Sequence, residues 1–147
     1  MKKIVSVFML LIFTFIANAQ INPAPQVVKD AFAKQYPDAQ NVKWGDGLDG
    51  FSVRFTINDK KMKASYTGKA DWNWTETQIT QADLPQAVQD AFKNSAYKDW
   101  PVKEVRLVDK PKNDAVYHII VKKSIISKKI LVYSKAGKLL EEIADIG

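Results

Sequence analysis

The segments Pro25-Gln-Val-Val-Lys-Asp-Ala-Phe32 and Pro85-Gln-Ala-Val-Gln-Asp-Ala-Phe92 agree at six of eight positions with a fixed offset of 60 residues. Tyr36 and Asp38 are then echoed by Tyr97 and Asp99. A chain that carries one segment twice is expected to build one local unit twice, which narrows the architectures open to it. In each copy the apolar residues recur at helical spacing (Val28, Ala31, Phe32 and Tyr36; Val88, Ala91 and Phe92), while Lys29, Lys34, Gln89 and Lys93 lie off that stripe. The spacing predicts two short amphipathic helices. Pro25 and Pro85 stand near the first turn, where a missing N–H is tolerated; Asn22 and Asp83 are the candidate caps, and Pro37 and the Trp100-Pro101 pair stop propagation.

After each helix the period changes from 3.6 to 2. Phe51, Val53, Phe55 and Ile57 alternate with Ser52, Arg54 and Thr56, the pattern of a half-buried strand. Asp59-Lys60-Lys61 reads as a tight turn, and Met62, Ala64 and Tyr66 alternate with Lys63 and Ser65. A second turn at Gly68 leads to Ala70, Trp72 and Trp74, which share one parity with Asp71 and Asn73 opposite. With a short strand at 42–44, the first unit is a helix plus four strands. The second repeats the plan with strands at 102–108, 115–122, 128–133 and 138–143 and Gly137 in its last turn; Tyr66-Thr-Gly and Tyr133-Ser-Lys-Ala-Gly hold matching places. Short links between successive strands require antiparallel neighbours. Two helices cannot cover both faces of about eight strands, so one face is expected to pack on the helices and the other to stay wet. The fold class is therefore α+β, a tandem repeat of helix plus four-stranded antiparallel meander. With 77–82 as only a short connection, the units (about 22–80 and 82–147) are read as one domain.

The chain of 147 residues is 46% hydrophobic and 26% charged, which fits a globular domain and not a disordered one. It has no Cys and one His, which excludes disulfide scaffolds, thiolate or multi-histidine metal sites and cysteine nucleophiles. Lys2 and Lys3 precede an uncharged, mostly apolar run at 4–16, and Ala17-Asn18-Ala19 fits a signal peptidase site. The expectation is a signal peptide at 1–19, cleavage after Ala19, and a periplasmic or secreted chain without a transmembrane segment; a retained N-terminal anchor is the competing reading. Removal of 1–19 leaves 20 basic and 16 acidic residues, net +4.

The pattern Pro-x-x-Val-x-x-Ala-Phe-x-x-x-Tyr-Pro-x-Ala-x-x-Val-x-Trp over 25–44, the strand at Phe51, the Tyr66-Thr-Gly turn and Leu84-Pro-x-x-Val-x-x-Ala-Phe resemble the PepSY-like, β-lactamase-inhibitor-like family of exported Bacteroidetes-type proteins. The resemblance covers essentially all of the chain after the leader. It implies helices on one side of an antiparallel sheet and a role in binding or inhibiting an enzyme. Its motifs are helix and core residues, and they carry no inhibitory loop; the second copy departs from it with Ala96-Tyr97-Lys98-Asp99-Trp100 and with Val105 or Leu107 in place of Trp44.

Candidate sites stand beside plainer readings. Trp44, Trp72, Trp74 and Trp100 with Tyr66 and Phe51 could form an aromatic platform, but strand parity assigns Phe51, Phe55, Trp72 and Trp74 to the core. Asp46-Gly47-Leu48-Asp49-Gly50 lacks the acidic spacing of a calcium loop and reads as a turn or a partner-probing tip. Lys122, Lys123, Lys128, Lys129, Lys135 and Lys138 could meet an acidic partner or an anionic surface; the plainer reading is that they guard strand edges around Ile125-Ile126 and Ile130-Leu131-Val132. Ser95-x-x-Lys98 is an isolated match to a hydrolase motif, and His118 takes the wet-face parity.

No catalytic residue, metal site or cofactor is assigned, and nucleic acid is not expected as a partner. The reading is a non-enzymatic binding protein that grips an enzyme, such as a hydrolase, or a peptide through Asp46, Asp49, Arg54, Thr56, Lys63 and Asn73, with Ser65 on the same face. The alternatives are an envelope module that recognises a glycan, lipid or peptidoglycan fragment, and an unrecognised hydrolase.

Overall fold

The computed structural model describes residues 24–144. The expected signal segment 1–19 and the candidate cap Asn22 lie outside them.

The first amphipathic stripe forms α1 (Gln26–Gln35) and the second forms α2 (Gln86–Lys93). Each starts at its proline, with the carbonyls of Pro25 and Pro85 accepting the first helical N–H bonds. Each carries the same i,i+4 pair on its outer side, Gln26 to Asp30 at 2.7 Å and Gln86 to Asp90 at 2.8 Å. Asp83 does not cap α2: its carboxylate accepts from the backbone N–H and the hydroxyl of Thr80, closing a 3-10 turn at Gln81–Asp83, and Pro85 takes the cap position with no side-chain cap bond.

Eight strands follow in the order helix, four strands, helix, four strands: β1 (Gln40–Gly47), β2 (Gly50–Ile57), β3 (Lys60–Tyr66), β4 (Trp72–Ile79), β5 (Val102–Asp109), β6 (Val116–Ser124), β7 (Ser127–Ser134) and β8 (Leu139–Ala144). They form one antiparallel sheet in strict sequence order. The segment 77–79, expected to be connection, is strand. It pairs with β5 from Thr75↔Asp109 to Ile79↔Val105, so the sheet runs unbroken from the first four strands into the last four. The turn between β2 and β3 is Asn58-Asp59, one residue earlier than expected, because both residues adopt the left-handed region (φ 49° and 63°) that two-residue hairpin loops require.

Both described helices lie on one face. Val28 and Phe32 of α1 bury against Val53, Phe55, Ala64 and Tyr66. Leu84 and Val88 bury against Val105, Ile119, Val121, Leu131 and Tyr133. Polar side chains pin α1 at its C-terminal end: the Tyr66 hydroxyl donates to Gln35 at 2.8 Å, and Tyr36 meets the Thr75 hydroxyl at 2.6 Å.

Two expectations about the sheet faces fail, each for a local reason. Trp72 and Trp74 do not share a face, because Tyr66 pairs with Trp72 while Ser65 pairs with Trp74; Asn73 is the extra residue of a β-bulge, and the alternation flips across it. Trp72 packs toward α1 and Trp74 stands on the helix-free face beside Ser65. Nor is that face uniformly wet: Val108, Ile120 and Val132 lie on it and are buried. β6 and β7 are apolar at both parities, the pattern of strands buried on two sides. They are also interior strands, so Lys122, Lys123, Lys128 and Lys129 guard no edge; the edges are β1 and β8.

Candidate functional site

Strand register arranges the helix-free face in rows. Lys43, Arg54, Lys63 and Glu76 stand on successive strands β1 to β4 and are continued by Val108, Val116 and Ser134. The next row holds Gln78, Arg106, His118, Val132 and Glu141, and a third holds Glu104, Ile120, Ile130 and Ile143. Neighbouring strands are about 4.8 Å apart, so each row is a contiguous stripe. The face changes character along it from three cations in line, through an acid–arginine–acid group, to apolar side chains.

The central group is built on Arg106. Its Nε and Nη2 donate to the two carboxylate oxygens of Glu104 at 2.8 and 2.7 Å, and Nη1 reaches Glu76 at 3.4 Å. The two-point grip by Arg106 holds the Glu104 carboxyl below the usual carboxylate range. Three cations directly in line repel one another; Lys63 relieves part of this by lying over the Trp74 ring, 5.4 Å from its centroid. Arg54, Thr56 and Lys63 line one shallow depression of about 430 Å³ with Lys43, Glu76, Glu104 and Arg106.

Of the residues read from the sequence, Arg54, Thr56 and Lys63 are therefore brought together. Asp46 is in β1 near the tip of the β1–β2 hairpin and Asp49 is in its turn; five residues of extended chain put Asp49 roughly 16 Å from Arg54. Asn73, the extra residue of the bulge, is half-buried and donates to the Ser65 hydroxyl at 3.3 Å. The sequence reading did not single out Lys43, Glu76, Glu104 or Arg106. Glu104 and Arg106, two apart on one strand, were legible as a same-face pair, whereas Glu76 joins them only through the β4–β5 register.

His118 faces the apolar end. A hollow of about 1070 Å³ opens there, lined by Val108, Val116, His118, Val132, Leu140 and Ile143, with Lys110 and Lys135 at its margin. Burial, with the positive charges of Arg106 and Lys110, lowers the His118 imidazole to about 4. The unfolded chain takes up this proton near pH 6.5 while the folded chain refuses it until about 4, so the stability present above pH 6.5 declines as pH falls through that window. Partial exposure to water limits the loss to about 1–2 kcal/mol. His118→Gln is expected to remove this part of the decline, measured by urea unfolding at about pH 7 and pH 4.5.

Ser95, the serine of the isolated hydrolase motif, has a structural task. Its hydroxyl donates to the Phe92 carbonyl at 2.8 Å and accepts the Tyr97 N–H at 3.1 Å, shaping the exit from α2. Tyr97 in turn donates to Glu142 at 2.6 Å and accepts from Lys129 at 2.8 Å, which ties that exit to the sheet. Among the described residues no group of three or more His, Asp or Glu side chains is placed to hold a metal ion, and no helix is long and apolar enough to cross a membrane.

An antiparallel sheet with its helices on one side and a partly charged surface on the other defines a class of α+β domains. Residues 49–141 match the family described as "Putative beta-lactamase-inhibitor-like, PepSY-like", and the chain belongs to that family. Among solved structures it is similar to a "putative periplasmic" protein of Bacteroides eggerthii, at 26% identity and TM-score 0.79 over 84% of this chain and 91% of that one. A BLIP-like protein of Bacteroides fragilis matches at 28% identity and TM-score 0.77, covering 85% and 89% of the two chains. A DUF2874 family protein of Bacteroides uniformis matches at 27% identity and TM-score 0.79, covering 82% and 89%. No curated protein is significantly similar in sequence.

Proposed function

We propose that this chain is an exported, non-enzymatic binding protein, one domain of two fused helix-plus-four-strand units, that inhibits or regulates a periplasmic or secreted enzyme held on its helix-free sheet face. The observation that carries this reading is the cationic stripe Lys43, Arg54 and Lys63 beside the Glu76–Arg106–Glu104 group and Trp74. Charged groups of both signs, an arginine in a planar two-point grip and a half-buried tryptophan are what a protein surface uses to fix register and partner. The likeness to a BLIP-like protein and to a "putative periplasmic" protein supports the class of partner and the compartment.

The test is capture of partners from the host's envelope and secreted fractions with the wild type and with Arg54→Glu/Lys63→Glu. The expected result is a hydrolase whose recovery falls at least about tenfold with the reversed charges and whose activity the wild type suppresses. Equal recovery by both proteins would place the contact elsewhere. One observation favours a second reading, a module for a glycan, lipid or peptidoglycan fragment: the apolar hollow beside His118. A small ligand that binds one-to-one and raises the melting temperature, with no protein recovered, would move the function there.

A further inference from the structure

The hairpin joining β6 and β7 ends in Ile125 and Ile126, which are 88% and 91% exposed. Neither residue adopts the left-handed region, so this loop turns without the backbone conformation for which Asn-Gly pairs are selected. At the corresponding place after the first helix, Asn58-Asp59 turns β2 into β3 with both φ angles positive and with polar side chains at the tip. Side chains this exposed add almost nothing to folding, so what the two isoleucines provide lies outside the chain. Exposed Leu48 at the other end of the sheet stands between Asp46 and Asp49, and that tip has the opposite chemistry.

Lysines surround the isoleucine tip on both sides of the ribbon. Lys122 and Lys128 stand opposite each other on the helix-free face. On the helix side, Lys123 lies 5.9 Å from the Trp100 ring centroid and Lys129 is held by Glu142 at 3.2 Å. β6 and β7 are interior strands, so this positive charge has no edge to protect. A one-sided patch would suit a protein groove; an apolar point collared by ammonium groups suits a plane approached end-on.

We propose that the β6–β7 hairpin docks the protein on a bilayer surface bearing anionic phospholipid headgroups, with Ile125 and Ile126 entering the boundary between headgroups and acyl chains and the lysine collar meeting phosphate. The chemistry is that of an interfacial anchor, in which a small apolar insertion and several cations act together and neither suffices alone. The hairpin tip stands apart from the Lys43, Arg54 and Lys63 stripe.

The test uses protein purified from an exporting host and vesicle flotation at about 0.1 M salt, comparing phosphatidylcholine alone with roughly three parts phosphatidylcholine to one part phosphatidylglycerol. The variants are Ile125→Asn/Ile126→Gly, which removes both apolar side chains from an exposed tip and should melt close to wild type, and Lys122→Gln/Lys123→Gln/Lys128→Gln. The wild type is expected to bind the anionic vesicles at least about tenfold more tightly than the neutral ones, and each variant to lose at least about tenfold. Equal binding by wild type and Ile125→Asn/Ile126→Gly would overturn the proposal. So would equal binding of the wild type to the neutral and the anionic vesicles.

Discussion

Replacing Phe32 by alanine is expected to lower the free energy of unfolding by about 3–5 kcal/mol, and replacing Phe92 by about half as much, although the sequence presents the two as copies of one residue. Phe32 is buried at the centre of an aromatic group, with ring centroids 5.0 Å from Phe55, 5.4 Å from Trp44, 5.6 Å from Tyr36 and 6.4 Å from Tyr66. Three of these contacts are edge-on, the geometry in which ring quadrupoles attract. Removing the ring strips partners from four neighbours and leaves a cavity that α1, fixed at its end by Tyr36 and Gln35, cannot close. Phe92 is only partly buried and packs at the margin of a cluster whose buried members are aliphatic apart from Tyr133. At about 4 °C per kcal/mol for a domain of this size, Phe32→Ala should melt roughly 12–20 °C below wild type. Urea unfolding of both variants, followed by circular dichroism, checks the ratio; equal costs would show that the two helices bear on the core alike.

What the sequence revealed, and what it withheld, follow from the range of the forces involved. α1, α2, β2 and β3 were legible because each buries one face, and burial on one face writes its period into the chain. The position of Trp74 was not legible. It depends on a one-residue bulge at Asn73, and nothing in an alternating run announces where a ladder slips. The central Glu76–Arg106–Glu104 group was half legible: the pair on β5 follows from strand parity, but Glu76 reaches it through a pairing that the chain makes only after passing through α2. The apolar end of the helix-free face does have a local signal. Ile119-Ile120-Val121 and Ile130-Leu131-Val132-Tyr133 are continuous apolar runs, which half-buried strands do not show. The strand-edge reading of the lysines around Ile125-Ile126 depends on strand order, a tertiary fact that the chain does not spell out locally; β6 and β7 are interior, and Lys123 and Lys129 meet Trp100 and Glu142.

Gly137→Ala is expected to cost about 3 kcal/mol, while Gly68→Ala, in the corresponding turn after the first helix, should stay within about 0.5 kcal/mol. Gly137 adopts φ +82°, and a Cβ there would lie 2.4 Å from the Ala87 carbonyl oxygen in α2. Both effects act against alanine: the left-handed backbone costs a side chain about 1–2 kcal/mol, and the clash is with helix backbone that cannot swing aside. At Gly68 the nearest atom to a new Cβ is a Phe51 ring carbon at 4.0 Å, an ordinary contact. The β7–β8 turn thus rests directly on the first turn of α2. Gly137→Asn separates the two causes, since asparagine tolerates the left-handed region but still carries a Cβ. If it destabilises as much as alanine, contact with α2 carries the cost; if it recovers about 1 kcal/mol, the backbone angle carries that share. The consequence reaches the helix-free face as well, because Lys135 and Ala136 of this turn line the hollow beside His118. A turn pushed off α2 should therefore change the protonation midpoint of His118, which nuclear magnetic resonance of the single imidazole reads directly, whereas Gly68→Ala should leave that midpoint where it is.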